Sequence, residues 1–252
     1  MNPRLKSFLT ANEMIVVYII VMLSVMIALV NPAFVGIPTV VNLLRTMLVT
    51  MIFAICEMLV IVSGGIDVSF PAISSLAMIV TVHVMLNNKI ESVFFAFALG
   101  CLIGAGLGLL NAILIAVFKI PPLIATLGVS SMTSGFTLAV FGAKVVTLIP
   151  ESIDKLYKVY LFTNTTATGI KSSLTALILI PVVICFLAWF LFRYTILGRG
   201  IYAIGGDVRS ARIAGFNVKR TQFFVYIVSG ALAGIAGVTY MSLMRVADPS
   251  VL

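Results

Sequence analysis

Apolar residues fall along this chain in seven long blocks separated by short polar or glycine- and proline-bearing stretches. The blocks run Met14–Val30, Leu43–Val62, Pro71–Leu86, Val93–Phe118, Leu123–Phe141, Leu174–Phe192 and Gln222–Met244. Each is close to the length, about 20 residues, at which a helix crosses the hydrocarbon of a bilayer. Strands standing alone would leave backbone groups unbonded in lipid, so every block is expected to be helical. The pattern therefore predicts an all-α, polytopic transmembrane helical bundle of about seven spans, organised as one domain over residues 1–252. The first block is too long for a signal-peptide core and lacks a small-residue cleavage site, so it reads as a first span.

Composition agrees. Residues are 62% hydrophobic and 10% charged, whereas a soluble domain carries about 25% charged residues. So few charges cannot solvate a globule of this size, and lipid must be the solvent for much of the surface. The net charge is +8, and six of the 16 basic residues lie between Arg193 and Arg220. In so apolar a chain this basic excess points to the positive-inside rule rather than to a nucleic-acid partner, and none is expected. If the loop Arg193–Thr221 is cytoplasmic, parity places Lys119–Pro122, Ser63–Phe70 and the amino terminus, with Arg4 and Lys6, on the same side. The loop Gly142–Ser173, carrying Lys144, Lys155, Lys158 and Lys171, then lies outside. Cys56, Cys101 and Cys185 stand far apart in apolar runs and read as buried small hydrophobes, with no metal ligation or disulfide expected.

Polar residues inside apolar blocks are the candidate chemistry. Ser63-Gly64-Gly65-Ile66-Asp67-Val68-Ser69-Phe70-Pro71 interrupts two blocks. Two glycines and a proline stop helix propagation, Asp67 and Ser69 are candidate caps, and Pro71 suits a first helical turn. This is either a plain corner or a broken helix lining a polar path. Glu57 lies deep in the second block, where an ionisable group costs at least ~2–3 kcal/mol and faces a bundle interior or cavity. Asn111 is a second such polar position. Thr126, Ser130 and Ser134 recur every four residues and are expected to share one helix face. Glu57, Asp67, Asn111, Thr126, Ser130 and Ser134 form the candidate path set, each with a purely structural alternative. His83 is read as an interface residue. Gly100, Gly104 and Gly108 form one four-residue ridge and Gly230 and Gly234 another, both signals of close helix packing.

The basic loop has its own local design. Asp207 is a good amino cap, Val208–Ala214 fits two helical turns, and Gly215 suits a left-handed carboxy cap. Arg209 and Arg212 share a face, with Val208, Ala211 and Ile213 giving an apolar side. The short helix would either rest on anionic headgroups or dock on a cytoplasmic partner. No P-loop, HExxH, GxSxG or paired catalytic carboxylates occur, so no catalytic residues and no enzyme activity are expected.

These residues carry a resemblance. Ser63 to Ser69 resembles the "GGIDLS" signature of the ribose-type sugar importer permeases of ATP-binding-cassette systems. Leu110-Asn111-Ala112 with Lys119-Ile120-Pro121-Pro122-Leu123-Ile124-Ala125-Thr126-Leu127-Gly128 is similar to their "N…IPPFIATLG" stretch. Gly198-Arg199, Tyr202 to Asp207, Ala211-Arg212 and Gly215-Phe216-Asn217-Val218 resemble their "GR…YAIGGN…AA..SGI.V" loop. Phe70-Pro71 stands where that family has small residues.

The resemblance implies a permease subunit in a bacterial plasma membrane, paired with a second permease subunit. It implies a cytoplasmic ATPase that holds ATP and magnesium, with no cofactor in this chain, and an extracytoplasmic sugar-binding protein. It makes 193–221 the cytoplasmic coupling loop, with Gly206, Asp207, Arg209, Ala211, Arg212 and Gly215 as the ATPase contact. Asp67, Asn111 and Thr126 match family positions along the path. Members usually continue for further spans, so the chain is expected to be shortened or completed by another polypeptide. An ion-coupled secondary transporter and a non-transporting subunit are the alternatives.

Overall fold

A computed structural model of the chain describes residues 12–165 and 171–249; Arg4 and Lys6 lie outside the described residues. The chain divides into two units, Met1–Leu44 with Phe162–Ser173, and Arg45–Leu161 with Leu174–Leu252.

In the first unit, α1 covers Asn12–Val30 and is followed by a single 3-10 turn, Pro32–Val35. Asn31 caps that turn by accepting the Ala33 N–H at 3.1 Å.

Helix α2 covers Ile37–Val62. It starts six residues before its apolar block because Thr39 and Asn42 fit a helix even though they interrupt the hydrophobic run. Then come α3 (Phe70–Asn87), α4 (Val93–Ala116), α5 (Pro122–Phe141), α6 (Glu151–Tyr157), strands β1 (Tyr160–Thr165) and β2 (Lys171–Thr175), α7 (Leu179–Tyr194), α8 (Ile196–Gly206), α9 (Val208–Ile213) and α10 (Val218–Met244). Among the described residues six helical stretches are long and apolar enough to cross a membrane, and Met14–Val30 is a shorter apolar helix. The helical bundle is as expected. Within Gly142–Ser173, read from sequence only as a mixed loop, α6 and the two-stranded sheet are additional.

The second unit is built around α10, which packs most closely on α4 and then on α3. The reason is the pair of glycine ridges. A Cβ on Gly104 would collide with the Gly230 carbonyl, and a Cβ on Gly230 with the Gly104 carbonyl. Gly100 and Gly234 repeat the contact one turn on, while Gly237 lies against the Ser74 carbonyl of α3. Lipid offers no hydrophobic drive between helices, so the approach of bare backbones supplies van der Waals contact instead. The two ridges are therefore each other's partners.

Two larger cores fill the rest. One joins Ile52, Cys56 and Leu59 of α2 to Ala112, Ile115, Ile201, Val225 and Tyr226. The other joins Met78, Ile79, Val82 and Met85 of α3 to Ala96, Ile153, Val238 and Met241. All three cysteines are free thiols. His83 is half-buried with its ring stacked 5.0 Å from that of Phe141.

Ion pairs sit at one end of this bundle. Asp154 of α6 pairs with Arg245, just past α10, and with Lys158 at 2.5 Å. Arg45 Nη2 donates to the Tyr157 hydroxyl, and the Arg45 and Arg245 guanidiniums lie 5.4 and 5.9 Å from the centre of the Tyr157 ring. Glu91 accepts the Glu151 and Ser152 N–H groups at 3.2 and 2.7 Å, satisfying donors at the start of α6. Val146 and Ala247 bond each other's backbones.

Candidate functional site

Helix α2 ends where its last carbonyls turn back on themselves. The Ser63 and Gly65 N–H groups both donate to the Val60 carbonyl, at 3.0 and 3.1 Å, and Gly64 takes a φ of +84° that favours glycine. The next five residues, 65–69, are in neither helix nor strand. They hold three of the candidate path residues together.

Asp67 Oδ1 accepts the Ser69 N–H at 2.8 Å and the Ser69 hydroxyl at 2.6 Å. Asn111 Nδ2, from α4, donates to Ser69 Oγ at 2.7 Å. Thr126, from the first turns of α5, accepts the Val68 N–H at 3.3 Å and donates toward the Ile66 carbonyl at 3.4 Å. Asp67, Ser69, Asn111 and Thr126 are all buried. The interrupted backbone is thus bonded by two neighbouring helices, as broken backbone at membrane depth requires.

The expectation that Asp67 and Ser69 cap α3 needs correction. Ser69 occupies the cap position, but its side chain makes no cap bond. Its hydroxyl is spent between Asp67 and Asn111, and Asp67 reaches only two residues ahead. Pro71 does stand in the first turn as expected.

Glu57 is half-buried, its carboxyl beside the Asp67 backbone amide, and Glu57 Oε2 has no hydrogen-bond partner among the described residues. Asn111 Oδ1 is likewise buried without one. The Tyr226 hydroxyl reaches over Gly65, so that a Cβ there would push it aside.

The row Thr126, Ser130, Ser134 does not share one environment. Thr126 is buried, Ser130 half-buried and Ser134 exposed. Positions four apart drift around a helix of 3.6 residues per turn. The inward polar face of α5 instead carries Thr126, Thr133 and Thr137, spaced by seven and four, with the Thr137 hydroxyl donating to the Thr133 carbonyl at 2.8 Å.

At the same end as the break lies the basic loop. The short helix is α9, capped as expected: Asp207 Oδ1 accepts the Ser210 N–H at 2.6 Å, and the Ser210 side chain together with that N–H holds the carboxyl below the usual aspartate range. Gly215 has a φ of +87° and the Phe216 N–H returns to the Ala211 carbonyl at 3.0 Å. The expected apolar side is corrected: Ala211 alone is buried, whereas Ile213 is 87% exposed. Arg209 and Arg212 face outward.

The sequence reading missed α8. Its 11 residues contain Gly198, Gly200, Gly205 and Gly206, which argue against a helix. Thr195 nevertheless caps it, accepting the Gly198 N–H at 3.0 Å, and Gly198, Ile201 and Ile204 recur at three-residue intervals on its buried face. That spacing was the available signal. The glycines have a use: α8 meets the end of α2 backbone to backbone, Gly205 against Val62 and Gly64. A pocket of about 600 Å³ opens here, bounded by Ser63–Gly65, the Lys119–Pro122 corner, Ile204–Val208 and Lys219.

Among the described residues, six helices long and apolar enough to cross a membrane, packed around a buried polar break, define a polytopic integral membrane protein. Residues 39–252 match the family described as branched-chain amino acid transport system permease component, and the chain belongs to that family. It is similar to the ribose import permease protein RbsC of Bacillus subtilis, 31% identical over 90% of this chain and 68% of that protein. It is 32% identical to the D-allose transport system permease protein AlsC of Escherichia coli over 80% of this chain and 58% of that protein. It is 33% identical to the autoinducer 2 import system permease protein LsrC of an Enterobacter species, over 89% and 62%. The chain thus spans 58% to 68% of these relatives' lengths. No solved structure matches it. The resemblance to the ribose-type permeases is borne out.

Proposed function

We propose that this chain is a membrane-spanning subunit of an ATP-driven importer for a monosaccharide or a related sugar. The observation that carries this reading is similarity, over most of the chain, to permeases named for ribose, allose and autoinducer 2 import. In this reading ATP and magnesium bind a separate cytoplasmic ATPase, an extracytoplasmic binding protein delivers the sugar, and a second permease subunit completes the path. The amino terminus and the basic loop face the cytoplasm of a bacterial cell.

The mechanism proposed is alternating access. Helix α9, with Gly206, Asp207, Arg209, Ala211, Arg212 and Gly215, takes the movement of the ATPase. Backbone contact between α8 and the end of α2 passes it to residues 63–69. Asp67, Asn111 and Thr126 hold that segment closed, and freeing it exposes their polar groups, with those of Glu57, Ser130 and Ser134, to the substrate. The test is sugar uptake in proteoliposomes by the chain together with its ATPase and binding protein. ATP-dependent uptake lost in Arg209→Glu, with the complex otherwise intact, supports the reading. Uptake by the chain alone, driven by an ion gradient, would overturn it in favour of a secondary transporter, for which the unpartnered Glu57 Oε2 is the favouring observation. No uptake under either condition, with normal insertion and assembly, would mark a non-transporting subunit.

A further inference from the structure

Three cations from three different elements line the pocket at the end of the bundle that carries α9. Lys119 comes from the corner between α4 and α5, Arg212 from the last turn of α9, and Lys219 from the first turn of α10. All three are exposed, and no ion pair is found for any of them among the described residues. One carboxylate, Asp207, also lines the pocket and accepts the Ser210 N–H, so the three cations outnumber it and leave the cleft net positive. The wall between them is glycine backbone, Gly64, Gly65, Gly205 and Gly206, which leaves the space open.

Two of these cations stand where helix design disfavours them. A cation in the first turn of a helix opposes the helix dipole, and Lys219 sits there in a 27-residue helix. Lys119 has a φ of +58°, in the left-handed region where glycine or asparagine costs less than a long side chain. Lys219 has one local contact, its ammonium 5.9 Å from the Phe223 ring centre; among the described residues no local contact of that kind accounts for Lys119. A loop-wide basic bias accounts for cations on this side of the membrane but not for three of them around one cleft.

We propose that this pocket binds the phosphate of an anionic phospholipid headgroup. Two neighbouring features favour a lipid source over free phosphate. The Ser63–Gly65, Lys119–Pro122 and Lys219 walls are all ends of membrane-spanning helices, which places the pocket at headgroup depth. Beside Lys119, Phe118 and Ile124 are 66% and 62% exposed and offer apolar surface to acyl chains. A basic pocket between spans with an apolar lip is the arrangement that recognises an acidic headgroup. The inference rests on membrane placement of the chain on its own and stands whether or not the chain carries sugar; in the proposed importer the ATPase contact at Gly206, Asp207 and Arg212 shares one wall of this pocket.

The test uses the full chain in detergent with dioctanoyl phosphatidylglycerol, dioctanoyl phosphatidylcholine or inorganic phosphate as the added probe. Binding is read by native mass spectrometry and by the thermal-unfolding midpoint. Phosphatidylglycerol is expected to bind one per chain and raise the midpoint, with phosphatidylcholine at least ~10-fold weaker. Lys119→Gln/Arg212→Gln/Lys219→Gln should lose ~10-fold or more of the phosphatidylglycerol affinity, while Arg199→Gln, outside the pocket, keeps it. Should the triple variant fail to fold, Lys119→Gln alone and a salt titration of the native chain give the same reading, since screening must weaken a headgroup held by exposed cations. Equal binding of the two lipids, or unchanged phosphatidylglycerol binding in the variants, overturns the proposal. Stabilisation by inorganic phosphate with none by phosphatidylglycerol also overturns it and assigns the pocket to a soluble anion.

Discussion

Gly205, in the last turn of α8, lies against the carbonyl of Val62, so that a Cβ at position 205 would overlap the Val62 oxygen. Two helices that are far apart in sequence thus meet without side chains at the point where α2 breaks. Such a joint transmits displacement, because close-packed backbone has no soft side chain to absorb it. Gly205→Ala is expected to destabilise the chain by about 1–3 kcal/mol or to displace α8. Gly206→Ala, where a Cβ would meet nothing within 4 Å, is expected to leave stability unchanged. Thermal-unfolding midpoints of the two variants decide the matter; equal midpoints would show that the joint is slack.

The α4–α10 seam makes a parallel prediction. Gly104→Ala and Gly230→Ala each force two backbones apart, at about 1–3 kcal/mol. Gly106, on the opposite side of the same helix with open space around it, should tolerate alanine or gain from it, since alanine is about 1 kcal/mol the better helix former. Folded yield and midpoint after solubilisation are the measurements. A loss at Gly106 as large as at Gly104 would argue against glycine packing as the basis of the seam.

Ser69 joins Asp67 to Asn111, so removing its hydroxyl strands the buried Asn111 amide and takes one of two bonds from Asp67, which keeps the backbone N–H of residue 69. Ser69→Ala is expected to cost about 1–3 kcal/mol per group left unbonded. Asn111→Ala should add little in the Ser69→Ala background, because both remove the same bond. A double-mutant cycle on unfolding midpoints checks this. Additive effects would show that the two side chains act separately.

Acidification addresses the opposite end of the bundle. Lys158 and Arg245 beside Asp154 hold its carboxyl below the ordinary aspartate value, and the Ser152 N–H does the same for Glu91. A carboxylate with a depressed folded pKa stabilises the fold above its unfolded value, about 3.9 for aspartate and 4.3 for glutamate. That contribution is lost as pH falls through the lower folded value. The unfolding midpoint should therefore drop between about pH 5 and pH 3 and flatten over that interval in Asp154→Asn/Glu91→Gln. An unchanged slope would show that the two carboxylates do not hold α6.

The ends of the bundle also make a topological prediction. Ser63, Lys119 and Asp207 line one pocket, while Glu91 and Ser152 meet elsewhere. Lys119→Cys and Lys155→Cys, the latter on the exposed side of α6, in a background lacking the native three cysteines, should react with a membrane-impermeant thiol reagent from opposite sides. Labelling of both from one side would overturn the arrangement of spans.

Much of this protein was legible locally. Blocks such as Val93–Phe118 define spans because their length is matched to the bilayer. The break at Ser63–Pro71 and the caps Asp207 and Gly215 follow from backbone rules that act within a few residues. Asp67, Asn111 and Thr126 were named without any means of seeing that they meet. Helix α8 escaped because its glycines oppose a helix locally and favour it only against α2. The inward face of α5 escaped because apolarity on both sides of a lipid-facing helix hides its periodicity. Ser69 as the hub and the mutual fit of Gly104 and Gly230 are long-range facts. The sequence by itself set most spans and the break and caps named above, since apolar length, caps and breakers act over single turns. Which helix faces touch was left to tertiary structure, because in lipid the choice rests on close steric fit between distant segments rather than on burial of apolar side chains.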